Sequence, residues 1–161
     1  MSEVAATAAP FTAYRAPVRP EWLDYNGHLN DASYAVVLSA AHELLLEELG
    51  LSADYRVSHH ASMFTVETHL RYLAEVSAGQ TLTAATLVVE ADRKRLRLHS
   101  ELYADGVLAA TGESLYLHVD TGAGRSVPLP EDRQARVDAL AAAHAGLPRP
   151  DHLGRGVGVR P

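Results

Sequence analysis

The sequence predicts a single α+β domain in which one long helix, apolar around most of its girth, lies embedded against an antiparallel sheet. Three observations carry that prediction. Residues 31–49 repeat apolar side chains at three- and four-residue steps, the period of a helix face. Residues 64–119 alternate apolar and polar positions instead, the period of half-buried strands. Between two of those alternating runs stands Asp105-Gly106, the dipeptide of a two-residue type I′ hairpin turn.

Residues 1–10, MSEVAATAAP, read as a leader of small residues with nothing to bury. Over residues 11–18, Tyr14, Ala16 and Val18 share one face of a strand, and Pro17 and Pro20 mark it as an edge or strand end. The loop WLDYNGHLN follows at residues 22–30, polar and aromatic together. The helix then runs from Asp31 to Leu49, with Tyr34, Val37, Leu38, Ala41, Leu44, Leu45 and Leu49 on its main face and Val36 and Leu46 beside it. Asn30 or Asp31 caps its start, and Gly50 supplies a left-handed stop.

A short irregular stretch holding His59 and His60 leads into the strands. In the first, Phe64, Val66, Leu70 and Tyr72 share a face opposite Thr65, Glu67, His69 and Arg71. The second covers residues 80–90 after Gly79. The third sets Leu96, Leu98, Ser100 and Leu102 against Arg95, Arg97, His99 and Glu101, and the fourth covers residues 107–119. Three of these strands form an antiparallel meander. A surface helix spans residues 131–145, introduced by Pro128 and Pro130 and spaced by Val137, Leu140 and Ala141. Residues 146–161, rich in Gly, Pro and Arg, read as a tail, so the domain proper is 11–145.

At 161 residues the chain fits one domain, and no repeat or long linker divides it. Its formal net charge of -6 and lack of a basic run exclude a nucleic-acid footprint, because counterion release needs clustered cations. The absence of cysteine removes disulfides, thiolate metal ligands and a cysteine nucleophile. The histidines are adjacent or scattered rather than spaced as zinc ligands, so no metal is expected. No secretory signal opens the chain and no apolar run approaches a bilayer span, so a cytoplasmic protein without membrane contact is expected.

Common nucleophile signatures are missing: Gly112-Glu113-Ser114-Leu115-Tyr116 fails the G-x-S-x-G elbow, and there is no phosphate loop or H-E-x-x-H helix. The loop bearing Asp24, Asn26, His28 and Asn30 stands out. It leads directly into the long helix, whose N-terminal N–H groups favour a developing oxyanion. Asp24, folded back on the Gly27 turn, serves there as nucleophile or general base toward an acyl carbonyl. Capping alone accounts for Asn30. It does not account for Trp22, Tyr25, Asn26 and His28 in the same short loop.

The run D-Y-N-G-H-L-N-D-A-S-Y, Asp24 to Tyr34, resembles the signature of hotdog-fold thioesterases of the 4-hydroxybenzoyl-CoA and acyl-carrier-protein group. It is similar to small thioesterases associated with carnitine breakdown, which read D-Y-N-G-H-M-N; Leu29 replaces their Met. The resemblance implies a hotdog fold, a long central helix wrapped by an antiparallel sheet. It also implies that Asp24 is the catalytic carboxylate, that His28 and Asn30 orient substrate or water, and that the backbone N–H near Asp31 is the oxyanion donor. An acyl-CoA substrate follows, with coenzyme A as part of that substrate and no separate cofactor. Its phosphates would meet Arg93 and Arg95, and the tail adds Arg149, Arg155 and Arg160.

On the acyl side, Trp22, Tyr25 and Tyr34 beside Gly27 suit a betainyl-CoA-like substrate, because aromatic faces hold quaternary ammonium groups. Phe64, Tyr72 and Tyr116 are further candidates for the same wall. Glu43 is read as a solvent-side residue with Glu47. Two other readings stay open at this point: a hotdog hydratase or dehydratase, and a non-catalytic acyl-CoA-binding module. The resemblance further implies a homodimer or homotetramer, with sheets paired edge to edge.

Overall fold

The helix α1 (Asp31–Glu48) begins and ends where the local chemistry dictates. Its structure, in a computed structural model describing residues 8–158, starts with the Asn30 side chain accepting the Ala32 N–H at 3.0 Å. At the other end Gly50 takes φ +72°. Gly50 N–H then donates to the Glu47 carbonyl and Leu51 N–H to the Leu46 carbonyl, the paired bonds of a Schellman stop. Val37 and Leu45 are fully buried, each contributing roughly 1.5–3 kcal/mol of apolar burial.

The sheet wraps that helix with six antiparallel strands: β1 (Arg15–Pro17), β2 (Ala61–Tyr72), β3 (Thr81–Ala91), β4 (Arg95–Ala104), β5 (Val107–Asp120) and β6 (Arg125–Ser126). They lie in the order β1-β3-β4-β5-β2, with β6 added along β5. The meander is β3-β4-β5. Asp105 and Gly106 both have positive φ, 47° and 83°, as the type I′ turn requires. Pro17 sits on β1 at the sheet edge, where its missing N–H costs no ladder bond. Gly112 lets α1 approach β5: a Cβ there would stand 2.5 Å from Leu38 Cδ1. This is the hotdog arrangement.

Two expectations are corrected. The stretch before β2 is a helix, α2 (Ala53–His59), rather than irregular chain. It buries only Tyr55, whose hydroxyl donates to His118 Nε2 at 2.9 Å while His118 Nδ1–H donates to the Val127 carbonyl at 2.8 Å. One anchor leaves no helical period to read. Within β2, Phe64, Val66, Leu70 and Tyr72 do not share a face, because the register shifts between Thr65 and Glu67. Phe64 pairs with Leu117, whereas Leu70 and Tyr72 pair with Gly112 and Ala110 on the helix side of β5. The bulge reverses the alternation.

The helix–sheet interior holds two apolar clusters with a polar chain between them. His42 Nδ1 meets the Tyr116 hydroxyl and Nε2 the Ser100 hydroxyl, each at 2.8 Å, and Ser100 continues to Thr86 Oγ1 at 2.8 Å. Burial pushes the His42 pKa down to about 4, so the ring is neutral.

The helix α3 (Glu131–Ala145) closes one end of the core with Val137, Leu140 and Ala141. Its His144 Nδ1 accepts the Val88 N–H at 2.9 Å, and Nε2–H donates to the Ala9 carbonyl at 3.0 Å. Beyond it, residues 146–158 cross the outer face of the sheet. Arg149 donates to the Val89 carbonyl, His152 Nε2 meets His99 Nε2 at 3.0 Å, and Gly154 N–H donates to the Glu113 carboxylate. That strap explains why His99, on the polar face of β4, is buried. Residues 1–7 of the leader, and Arg160 of the tail, lie outside the described residues. Among the described residues no helix is long and apolar enough to cross a membrane.

Candidate active site

The loop ahead of α1 is a tight hairpin. Leu23 bridges to Leu29, the Asp24 N–H donates to the His28 carbonyl at 2.8 Å, and the Gly27 N–H donates to the Asp24 carbonyl at 3.0 Å. Gly27 takes φ +79°, a conformation that glycine adopts without strain. The Asp24 side chain folds back across this turn. Its Oδ1 accepts the Asn26 N–H at 2.8 Å and the His28 N–H at 3.2 Å. Desolvation alone would raise the carboxyl, but these two amides, together with the Asn26 side chain and the His28 ring, outweigh it and hold the group below its ordinary value.

Two further bonds seat the hairpin on the helix start. The Trp22 carbonyl accepts from Asn30 N–H at 2.9 Å and from Ser33 Oγ at 3.1 Å. At the helix terminus the Ala32 N–H is shared by Asn30 Oδ1 and Asp31 Oδ1, and the Ser33 N–H is taken by the Asn30 carbonyl. No acceptor among the described residues takes the Asp31 N–H.

A cavity of about 420 Å³ opens at this point, lined by Asp24, Asn26, His28, Leu29, Asp31 and Tyr34 together with Tyr72 to Glu75 at the end of β2. Tyr34 and Tyr72 meet edge to face with centroids 5.1 Å apart. Both hydroxyl protons are committed: Tyr34 donates to the Ala74 carbonyl and Tyr72 to the Asp31 carbonyl, each at 3.3 Å. His28 Nε2 lies 3.6 Å from Glu75 Oε2. Among the described residues, three carboxylates and two aromatic rings thus surround a space whose lining includes no lysine or arginine.

The structure therefore brings together Asp24, His28, Asp31 and Tyr34 around the turn at Gly27. Asn30 lies beside them as the helix cap. Trp22 does not line the cavity; it packs on the core, with the Arg19 guanidinium over its ring at 4.9 Å. Tyr25, at the hairpin tip, is 99% exposed. Phe64 and Tyr116 also lie elsewhere, the first half-exposed on β2, the second buried against His42. Glu43 is exposed on α1, as is Glu47.

Arg93 and Arg95 are not brought to this site within the chain. They occupy the β3–β4 turn, where Arg95 pairs with Asp92 at 2.6 Å, and the length of β4, roughly 30 Å at 3.3 Å per residue, separates that turn from the Asp24 end of the sheet. Spacing in sequence carries no information about which end of a sheet a turn occupies. Tyr72, a candidate for the same wall as Tyr34 on the sequence, does line it. Sequence reasoning missed Glu75, which has no local signal because its place depends on β2 ending beside the helix start.

A hotdog sheet, a long buried helix and a carboxylate hairpin at its N-terminus together describe an acyl-transfer scaffold. Residues 18–137 match the thioesterase-like superfamily, and the chain belongs to that family. It is 43% identical over 152 residues to the betainyl-CoA thioesterase of Pseudomonas aeruginosa, spanning 93% of this chain and 96% of that protein. It is also 48% identical over 149 residues to the L-carnitine dehydrogenase/betainyl-CoA thioesterase of Agrobacterium fabrum, spanning 92% of this chain and 30% of that longer protein. Among solved structures, a Staphylococcus aureus protein in complex with CoA superposes with TM-score 0.89 at 28% identity, over 98% of this chain and all of that one. The chain is a thioester hydrolase, and of the three function classes open on the sequence the comparisons select this one.

Proposed function

We propose that the protein hydrolyses acyl-CoA thioesters at the Asp24 cavity, with betainyl-CoA as the substrate. The observation that carries this reading is that the Asp24 carboxylate and the start of α1, whose Asp31 N–H no described residue takes, line one cavity. Asp24 Oδ1 is fixed by two amides, which leaves Oδ2 for the reaction. Oδ2 either attacks the thioester carbonyl or removes a proton from the water that does. The tetrahedral oxygen gains its charge against the Asp31 N–H and the helix dipole. Collapse breaks the C–S bond and CoA leaves as thiolate, which takes up a proton; on the water route this collapse yields the acid, and on the direct route it yields an acyl–Asp24 anhydride that a water molecule then hydrolyses to the acid and the Asp24 carboxylate. Water is the only co-reactant, so the reaction requires no cofactor. His28 and Asn30 hold the hairpin and helix start in register.

Betainyl-CoA is supported by the relatives' names and by the walls of the cavity. The working unit in this reading is a dimer or a tetramer built of dimers, in the cytoplasm. Its support is β2, a 12-residue strand bonded, among the described residues, only along β5 and exposing Phe64 and Val66. Such an edge is an open template for a second copy. Antiparallel pairing of two β2 edges turns the β3–β4 turn of one copy toward the Asp24 end of the other. Arg93 and Arg95 then meet the CoA phosphates across the interface.

The test is Asp24→Asn, assayed with betainyl-CoA by release of free thiol. Hydrolysis falls about 100- to 10,000-fold while circular dichroism and oligomeric state are unchanged. A variant that keeps its rate removes Asp24 from the reaction. Single-turnover hydrolysis in ¹⁸O water then separates the two roles, because direct attack delivers carboxylate oxygen to the first product.

A further inference from the structure

The three carboxylates of the cavity are not equivalent. Asp24 is committed to the reaction and Asp31 accepts the Ala32 N–H at 2.9 Å. Glu75 has one polar neighbour, the His28 ring at 3.6 Å, and its side chain is 79% exposed. Carboxylates alone would make a solvated acidic patch. Here they rim a cavity lined by Tyr34, which is buried, and by Tyr72, which is half-exposed; both hydroxyl protons point into backbone carbonyls, so what a ligand meets is chiefly the ring surface of Tyr72.

Such a lining is costly for an ordinary acyl-CoA. A neutral acyl end offers these carboxylates no partner and takes part of their hydration when it binds. The arrangement becomes favourable when the acyl group is itself a cation that cannot donate a hydrogen bond. A trimethylammonium group is of this kind, since it offers positive methyl surface to ring faces and to oxygens. An ammonium that needs acceptors in fixed directions is served less well by faces of aromatic rings.

We infer that Glu75 is the specificity-determining residue for the acyl group, selecting a trimethylammonium acyl chain over a neutral chain of the same shape; this rests on the thioesterase reading of the Asp24 cavity. Glu75 follows the last residue of β2 by three positions, so the strand that carries Tyr72 also delivers the counter-charge. The His28 ring lies 3.6 Å from this carboxylate at the cavity rim. The acyl end is thereby chosen by a residue that takes no part in bond breaking.

The experiment compares betainyl-CoA with 3,3-dimethylbutyryl-CoA, in which a quaternary carbon replaces the nitrogen, on the wild type, Glu75→Gln and Glu75→Asp. The two esters match in shape and differ in one charge. In Glu75→Gln the KM for betainyl-CoA rises about two- to fivefold, the range of an exposed ion pair, with kcat held and the neutral ester unaffected. Glu75→Asp, which keeps the charge, retains most of the preference. A Gln substitution that leaves the ratio of the two esters unchanged, or that lowers both alike, overturns the assignment of Glu75. If the wild type hydrolyses the neutral ester as well as the cationic one, the cation preference itself falls. A wild type that hydrolyses neither ester sinks the thioesterase reading and this inference together.

Discussion

Replacing His42 by Gln isolates the largest buried titration in the core. The ring is 2% exposed, bonded on both nitrogens, and its pKa is pushed down from 6.5 to about 4 by burial. Between those values the unfolded chain binds the proton that the folded chain refuses. Stability is therefore fully present above pH 6.5 and is lost as the pH falls toward 4. At about 1.4 kcal/mol per pH unit, the drop of some 2.5 units amounts to about 3 kcal/mol. Urea unfolding, followed by Trp22 fluorescence and far-ultraviolet circular dichroism from pH 4 to pH 7.5 at fixed protein concentration, reads this directly. Glutamine cannot titrate. The difference in unfolding free energy between wild type and His42→Gln shrinks by about 3 kcal/mol as the pH is lowered from 7 to 4, on top of any constant offset. Carboxylates titrate in both proteins and cancel. A difference that stays flat across this window would show that His42 is protonated in the native core, and the neutral network with Tyr116 and Ser100 would have to be abandoned.

Two other perturbations follow from single contacts. Gly112→Ala places a methyl 2.5 Å from Leu38 Cδ1 and 3.2 Å from Leu70 Cδ2, so these leucine side chains must leave their packed positions at a cost of about 1–3 kcal/mol, measurable as a lower urea midpoint at unchanged slope. His152→Ala frees the strap from His99, so amide hydrogen exchange over residues 150–158 accelerates while that of β4 stays slow. Burial and His152 both hold the His99 pKa down, so acidification from pH 7 to pH 5, with exchange corrected for its intrinsic pH dependence, loosens the strap of the wild type in the same way. Equal protection in both proteins at both pH values would remove the histidine contact as its fastening.

The parts of the fold legible in the sequence are those whose cause is local. The central helix could be placed from its apolar period, its Asn30 cap and Gly50, and the β4–β5 hairpin from Asp105-Gly106. The Asp24 hairpin stood out because a turn glycine, a carboxylate and a helix cap crowd into seven residues. The bulge in β2 was not legible: an extra residue in a strand changes which side chains face inward while leaving the residue alternation on paper intact. The helix α2 was missed because one buried tyrosine carries it. His42 sits at a helix position where any side chain continues the periodicity, so nothing nearby announces its partners on β4 and β5.

The site divides along the same line. Asp24, His28, Asn30 and Asp31 could be grouped from the sequence because a short hairpin and a helix start keep them within a few residues of one another. Glu75 and Tyr72 join them across more than forty residues through the end of β2, and Arg93 and Arg95 leave them by the length of a strand. Those placements depend on strand order and register, set by burial summed over the whole sheet. The sequence by itself determined the carboxylate and the helix terminus that one short hairpin keeps together; only the tertiary structure decided what walls surround them, because a wall is assembled from ends of elements distant in the chain.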